Sequence, residues 1–356
     1  MKKVLKVIGR ILLVLLILFI ILSIVCTIWS KSQRKKAVEL LEKDGFVNLV
    51  SAGDYDMNVN IFGDGKYKII AMPGSGDSIF PVDMKKFYEH LSDDVTLVVV
   101  SRPGYGVSGE TKQDVTTENI VESTRTALKN AGIEAPYILM PHSLSGIYGT
   151  YWESTYPDEV SGVIFLDSVH EGQDEMPDKG VGKFLFNAYL NVSYYVNTTG
   201  LQSAFDKIKG NDGDDTYGEY KNDASAFYDA SQYRSFRKEM KNYNKNMQTA
   251  WSAIKSNDIP KIYVDTDFQT LEDVKEYNDF YGFGLTEEEM QSRYEEYANP
   301  SDWKKEKNQS RSDYIEKVGN CEEVNISGSH FMYEYKPDEL AETIEKFLRQ
   351  HRTKPA

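Results

Sequence analysis

The sequence has little cysteine, little histidine and no surplus of positive charge, and each scarcity excludes something. There are two cysteines: Cys26 lies in an apolar run and Cys321 lies near the far end of the chain, so no disulfide framework is expected. Lipidation of Cys26 is disfavoured, because Ile24 and Val25 before it are bulkier than a lipoprotein cleavage site tolerates. The five histidines fall into no zinc-site spacing with Cys, Asp or Glu, so no metal is expected. Gly104-Tyr105-Gly106 lacks the further glycine and the partner acid of a dinucleotide site, and no phosphate loop is present. No cofactor is therefore expected. Lys and Arg total 41 against 55 Asp and Glu, a net charge of -14. Such a surface repels phosphate backbones and argues against a nucleic-acid partner.

What the chain does have begins at its N-terminus. Lys2, Lys3, Lys6 and Arg10 precede Ile11–Trp29, which carries no charge and is dominated by Leu, Ile and Val. As a helix this run spans roughly 28 Å, close to the hydrocarbon thickness of a bilayer. Val25-Cys26-Thr27 and Trp29-Ser30-Lys31 are poor cleavage sites, so an uncleaved anchor over residues 1–36 is favoured over a removed signal. Lys31, Arg34, Lys35 and Lys36 also flank the run, which blunts the positive-inside rule. The expected arrangement has the N-terminus inside and the large domain outside the cell membrane.

Past Lys36, short apolar runs alternate with longer amphipathic ones. Met57–Phe62, Lys68–Met72, Val95–Val100, Tyr137–Met140, Val160–Leu166, Lys261–Val264 and Glu322–Ile326 read as strands. Val95–Val100 is apolar on both faces save Thr96, as in a buried parallel strand. Thr117–Ala131 reads as a helix stopped by Gly132, and Pro337 opens another with Leu340, Ile344 and Leu348 one turn apart. Strand and helix in alternation argue an α/β fold with a mostly parallel sheet and helices on both faces. Between Ser168 and Ile259 the rhythm breaks. Phe184, Tyr189, Tyr194, Tyr195, Phe227, Tyr228, Tyr233 and Trp251 lie in this stretch. It reads as a helical cap over residues 169–257, with most of these aromatics expected to form its own small core. The core would then comprise residues 37–168 and 258–356.

The chemistry concentrates at Pro141-His142-Ser143-Leu144-Ser145-Gly146, between a strand and a helix. A serine on a sharp strand-to-helix turn is held clear of the sheet, where its hydroxyl can attack a carbonyl. Pro141 and Ser145 stand where the G-x-S-x-G pattern has glycines. Pro73-Gly74-Ser75-Gly76 follows an earlier strand and can aim backbone N–H groups at an oxyanion. Arg102-Pro103-Gly104-Tyr105-Gly106-Val107-Ser108 follows Val95–Val100, and Gly328-Ser329-His330-Phe331 follows the last strand. A histidine there can reach the elbow serine.

These segments, with Tyr156-Pro157-Asp158-Glu159-Val160 and Leu166-Asp167-Ser168-Val169-His170-Glu171, resemble bacterial members of the α/β-hydrolase superfamily from about Asp56 to the C-terminal helix. The resemblance implies Ser143 as nucleophile, His330 as general base, and the N–H groups of Ser75 and Leu144 as oxyanion hole. The usual His-Gly of the oxyanion loop is Pro73-Gly74 here, and the usual Asp before Arg102 is Ser101. For the acid there are two candidates. Asp267 follows the strand after the cap, though earlier than the common spacing. Asp167 ends the strand before the cap, an arrangement resembling that of haloalkane dehalogenases and some lipases, and is favoured. His142 and His170 are read as packing or loop-ordering residues.

The expected function is ester cleavage by acyl transfer to water, on a small-molecule ester or a short peptide. The alternatives are an aminopeptidase resembling proline iminopeptidases and a non-catalytic receptor or scaffold. A haloalkane dehalogenase is disfavoured, since it needs a carboxylate where Ser143 stands.

Overall fold

The computed structural model describes residues 2–172, 175–209 and 234–351. Eight strands form one sheet: β1 (Leu49–Ser51), β2 (Asp56–Phe62), β3 (Tyr67–Met72), β4 (Val95–Val100), β5 (Tyr137–Pro141), β6 (Val160–Leu166), β7 (Lys261–Asp265) and β8 (Cys321–Asn325). Their order is β1-β2-β4-β3-β5-β6-β7-β8. β1 and β2 pair antiparallel, as do β2 and β4; every other pairing is parallel. All six residues of β4 are buried, as its uninterrupted apolar run requires.

The period-two alternation of the strands sorts side chains into two cores. Ile70, Val98, Leu139, Val163 and Phe165 face one side. Ile69, Leu97, Ile138, Ile164 and Leu166 face the other. After α1 (Lys2–Lys43), the helices α2 (Phe80–Tyr88), α3 (Thr117–Asn130) and α4 (Gly146–Thr155) connect the parallel strands. α3 and α4 contribute Val121, Leu128 and Trp152 to the first core, while α2 contributes Phe80 and Phe87 to the second. Thr116 caps α3 by accepting the Asn119 N–H.

Between β6 and β7 lie α5 (Gly180–Thr198), α6 (Leu201–Lys209), α7 (Arg234–Lys241) and α8 (Tyr243–Ala253). Phe227, Tyr228 and Tyr233 lie outside the described residues. Met240, Tyr243, Met247 and Ala250 of α7 and α8 join the first core rather than a separate one. Phe184, Tyr189 and Tyr195 of α5 are exposed, against the expectation that the aromatics of this stretch pack among themselves.

Three helices that the strand pattern did not reveal separate β7 from β8: α9 (Leu271–Tyr281), α10 (Glu287–Ala298) and α11 (Asp302–Val318). Phe268, Val274 and Met290 form a small core of their own there. α9 and α10 each begin with a reciprocal capping box, Thr270 with Asp273 and Thr286 with Glu289. After β8, the short α12 (Met332–Tyr335) leads into α13 (Pro337–Gln350), whose Leu340, Ile344 and Phe347 complete the second core.

α1 is one continuous helix of 42 residues. It includes a segment long and apolar enough to cross a membrane, with mean hydropathy 3.4. Its C-terminal end leaves that segment and packs Ala37 and Leu41 against Ile79 and Val82, just after the Pro73–Gly76 loop.

Candidate active site

Ser143 leaves the end of β5 with φ +51°, a conformation a serine adopts only when its surroundings impose it. α4 begins within a turn of it and pins the elbow. The Ser143 carbonyl accepts the Val169 N–H at 2.8 Å, and the Ser168 hydroxyl donates to the Pro141 carbonyl at 2.7 Å. The ends of β5 and β6 are thereby tied together, and Asp167 stands at the tip of β6.

Asp167 Oδ2 lies 2.6 Å from His330 Nδ1 and also accepts the Thr266 hydroxyl at 3.1 Å. Burial pushes the Asp167 carboxyl up, but the His330 hydrogen bond and charge, with Lys307 beyond, outweigh it and hold it down to about 2. Among the described residues, neither Ser143 Oγ nor His330 Nε2 makes a hydrogen bond, to each other or to a third group. Asp267 is engaged elsewhere: Lys304 Nζ donates to its Oδ1, and Arg311 bridges it to Asp265. The structure thus brings Asp167, and not Asp267, to His330.

His142 is buried behind the elbow. Its Nε2 donates to the His330 carbonyl at 2.9 Å, and the two rings are 4.5 Å apart. Burial, then the His330 charge, lowers its pKa to about 3, so it stays neutral and holds the loop that carries His330. Its Nδ1 has no partner and faces Gly74, where a Cβ would come within 3.0 Å of that nitrogen and 3.2 Å of Ser143 Cβ. The missing side chain lets the Gly74 backbone lie against Ser143. His170 donates from Nδ1 to the Glu171 carbonyl at 2.8 Å and stacks on Tyr314; burial lowers it to about 4, and it orders the loop after Asp167.

The Pro73–Gly76 loop is gripped by a buried cation. Arg102 Nη1 donates to the Pro73 carbonyl and to Ser145 Oγ, each at 2.6 Å, and Nη2 donates to the Gly74 carbonyl at 2.8 Å. Holding the Gly74 C=O turns the N–H of the same peptide, that of Ser75, to the opposite side. Arg102 is balanced by Glu239 of α7: Nε lies 2.8 Å from Oε1, and both side chains are 2% exposed. The Nε–H is not aimed at that oxygen, so this contact is coulombic rather than a hydrogen bond. Burial works against the Arg102 charge, and Glu239 more than restores it. Tyr105 and Tyr148 each donate a hydroxyl to Glu239 at 2.6 Å, and the Tyr105 hydroxyl accepts the Gly76 N–H at 3.2 Å. The sequence marks Arg102 only as part of a motif, and Glu239 not at all. An arginine beside a glycine-rich turn is a visible signal; a single acid in a polar helix is not.

Comparison with known proteins agrees with this architecture. Residues 71–248, half the chain, match the family described as alpha/beta hydrolase fold. The chain is 36% identical over 167 residues to the uncharacterized protein YbdG of Bacillus subtilis, covering 47% of this chain and 51% of that protein. It is 24% identical over 83 residues to the uncharacterized protein YqjL of the same organism, covering 23% and 33%. It therefore spans about half the length of the first and a third of the second. Among solved structures, haloalkane dehalogenase DatA from Agrobacterium tumefaciens superposes with TM-score 0.57 at 15% identity, over 85% of this chain and 96% of that one. Epoxide hydrolase CorEH superposes with TM-score 0.55 at 15% identity, over 85% and 98%. At that identity the likeness is one of fold alone. With the parallel sheet, the strained elbow and the matched profile in agreement, the chain belongs to the α/β-hydrolase superfamily.

Proposed function

We propose that this protein is a serine hydrolase that cleaves carboxylic esters, with Ser143 as nucleophile, His330 as general base and Asp167 as the acid that orients it. The observation that carries the reading is the 2.6 Å contact of Asp167 with His330, whose ring lies 4.5 Å from that of His142, the neighbour of a serine held at φ +51°. Ser143 Oγ attacks the ester carbonyl while His330 Nε2 takes its proton. The Ser75 and Leu144 N–H groups hold the oxyanion, a contribution of about 3 kcal/mol per donor in hydrolases of this kind. Collapse expels the alcohol, which His330 protonates. Water, deprotonated by His330, then releases the acid and frees Ser143. Asp167, ionised at neutral pH, fixes the tautomer and steadies the imidazolium.

Displacement of halide by an enzyme carboxylate is a poor fit, because the elbow residue is a serine. An aminopeptidase needs an acidic subsite for the substrate ammonium. Glu239, the buried acid beside the Pro73–Gly76 loop, is already occupied by Arg102, Tyr105 and Tyr148, which favours the ester. The same reading makes Ile11–Trp29 a single membrane span with the catalytic domain outside the cell. The span is supported by the length, hydropathy and outward-facing side chains of that run.

A fluorophosphonate probe should label the protein, and Ser143→Ala should abolish labelling with the fold retained. A panel of p-nitrophenyl esters and aminoacyl-anilides should then show turnover of the esters. Absence of labelling in the folded, unsubstituted chain would leave the scaffold reading in its place.

A further inference from the structure

α5 turns an apolar face outward. Val181, Phe184, Leu185, Tyr189 and Val192 recur at helical spacing and are 59–73% exposed. Phe205 and Ile208 extend the exposed surface onto α6. Soluble surfaces scatter such residues singly, and a contiguous patch of this kind marks a contact surface.

Its neighbour identifies what it contacts. The end of α5 lies against the apolar run of α1, not beyond it. Tyr195 stacks on Phe19 with ring centroids 6.3 Å apart, and its hydroxyl is 3.1 Å from Ser23 Oγ. Thr27 donates to the Thr199 carbonyl at 3.4 Å. Gly200, at φ +70°, meets α1 so closely that a Cβ would fall 2.4 Å from Ser30 Cβ and 2.9 Å from the Cys26 carbonyl. Ser23, Cys26 and Ser30 are buried by this contact, while the other faces of the run stay open. Small and hydroxyl-bearing residues at a close helix crossing are how helices pack inside a bilayer, where apolar side chains gain nothing by clustering. The register then decides the depth. Phe19 stands ten residues before Trp29, about 15 Å along the helix axis, and Ser23 about 9 Å before it. A side chain that touches both is below the membrane surface whenever α1 spans the membrane.

We propose that α5 and α6 form a second membrane-embedded element, seated beside α1 in the leaflet on the domain's side, with the apolar face of α5 in contact with acyl chains. The proposal rests on the reading of α1 as a membrane span, and it extends the reading of the active site. α7 packs on α5 through Arg237, whose guanidinium lies 4.3 Å from the Tyr194 ring and donates to Asn191 Oδ1 at 3.1 Å. The same short helix carries Glu239 to Arg102, and Met240 Sδ accepts the Ser75 hydroxyl at 3.9 Å. One helix therefore separates the helix with the outward apolar face from the oxyanion loop, and the substrate class this assigns is a long-chain acyl ester taken from the bilayer.

The test uses the full chain in phosphatidylcholine vesicles with mid-chain brominated lipid. Phe184→Trp and Val192→Trp are read as fluorescence added over the unsubstituted chain. Leu16→Trp in the α1 run is the membrane reference, and Leu49→Trp on β1 is the aqueous one. Fluorophosphonate labelling of each sample checks the fold and the site. Quenching at positions 184 and 192 to the extent seen at position 16 supports the proposal. Quenching no greater than at position 49, with position 16 quenched, overturns it and leaves the anchor standing. Protection from both brominated lipid and aqueous iodide overturns it in favour of a second copy of the chain on this face. Loss of quenching at position 16 removes the anchor and this proposal together, while labelling still reports separately on Ser143. For the substrate class, Val181→Asp with Leu185→Asp should lower turnover of a vesicle-borne p-nitrophenyl palmitate relative to soluble p-nitrophenyl butyrate. An unchanged ratio overturns that assignment.

Discussion

Glu239→Gln removes one charge from a pair that has no access to water. The carboxylate of Glu239 faces Arg102 Nε at 2.8 Å and accepts two tyrosine hydroxyls, with both charged side chains 2% exposed. Two charges about 4 Å apart attract by about 4 kcal/mol at an effective dielectric of about 20. Stranding a buried charge by removing its partner typically costs about 3–5 kcal/mol, a large share of a domain's stability. The amide can keep part of the hydrogen bonding but none of the charge. The urea midpoint of the detergent-solubilised chain should therefore fall sharply at unchanged slope. The second effect is on chemistry. Arg102 holds the Pro73 and Gly74 carbonyls, and through the latter aims the Ser75 N–H. Loosening that peptide should slow turnover by up to about 10²–10³, the range for loss of one oxyanion donor. The double substitution Glu239→Gln with Arg102→Met separates the two effects. Removing both charges leaves neither stranded, so part of the lost stability should return, short of the hydrogen bonds Arg102 made, while turnover stays low. Recovery of both would show that the Arg102 grip on the loop does not matter for catalysis. A single Glu239→Gln change within about 0.5 kcal/mol of the unsubstituted chain would refute the charge argument, since that is the range of ordinary surface changes.

Asp167→Asn should lower turnover by as much as about 10⁴ with circular dichroism unchanged, because the imidazole loses its orienting partner. Asp267→Asn should leave turnover far less affected but lower the thermal midpoint, since Lys304 and Arg311 lose a shared carboxylate. Asp83→Asn should raise the thermal midpoint at pH 7 and leave it unchanged at pH 3. Burial, then the charges of Asp77 and Glu334, raises the folded pKa of Asp83 well above the ordinary 3.8, and its Oδ1 has no partner. The unfolded chain therefore ionises first; the cost appears as pH rises above about 4, grows up to the folded pKa, and is absent where both states are protonated. Full-length protein should remain in the membrane pellet after high-salt and carbonate washes; release by either wash would remove the anchor reading.

Legibility followed the range of the interactions. The strands were readable because burial on two faces demands unbroken apolar runs, as in β4, and the elbow was readable because its residues are contiguous. β8 was placed within one residue, at Cys321–Asn325 rather than Glu322–Ile326. β1 was missed because three residues carry no period. α9 and α10 are hard to read although Thr270 with Asp273 and Thr286 with Glu289 have capping-box spacing, because each buries a single apolar side chain, Val274 or Met290, and so carries no long apolar stripe. Asp167 and Asp267 both follow strand ends in sequence. Which one stands beside His330 depends on β6 lying next to β5, and on Lys304 and Arg311 arriving from α11 to occupy the other. The Arg102–Glu239 pair joins segments far apart in the chain, and no local pattern announces it.

The departures from the family pattern look like decay when read one at a time. In space they answer each other. Pro141 stands where the elbow has its first glycine, and its ring lies against Gly149, where a Cβ would come within 2.8 Å of Pro141 Cγ. The bulk added at one position is absent one turn into α4. Ser145 stands where the last glycine would be. It is fully buried, and its hydroxyl accepts from Arg102 and donates to the Pro73 carbonyl at 2.5 Å. The serine that replaces a glycine thus ties the elbow to the loop in which proline replaces histidine. A buried hydroxyl or charge left alone costs stability, and here each is paired. The elbow is thus tied through Arg102 to the Pro73–Gly76 loop, so its geometry is held although neither flanking glycine of the pattern is present.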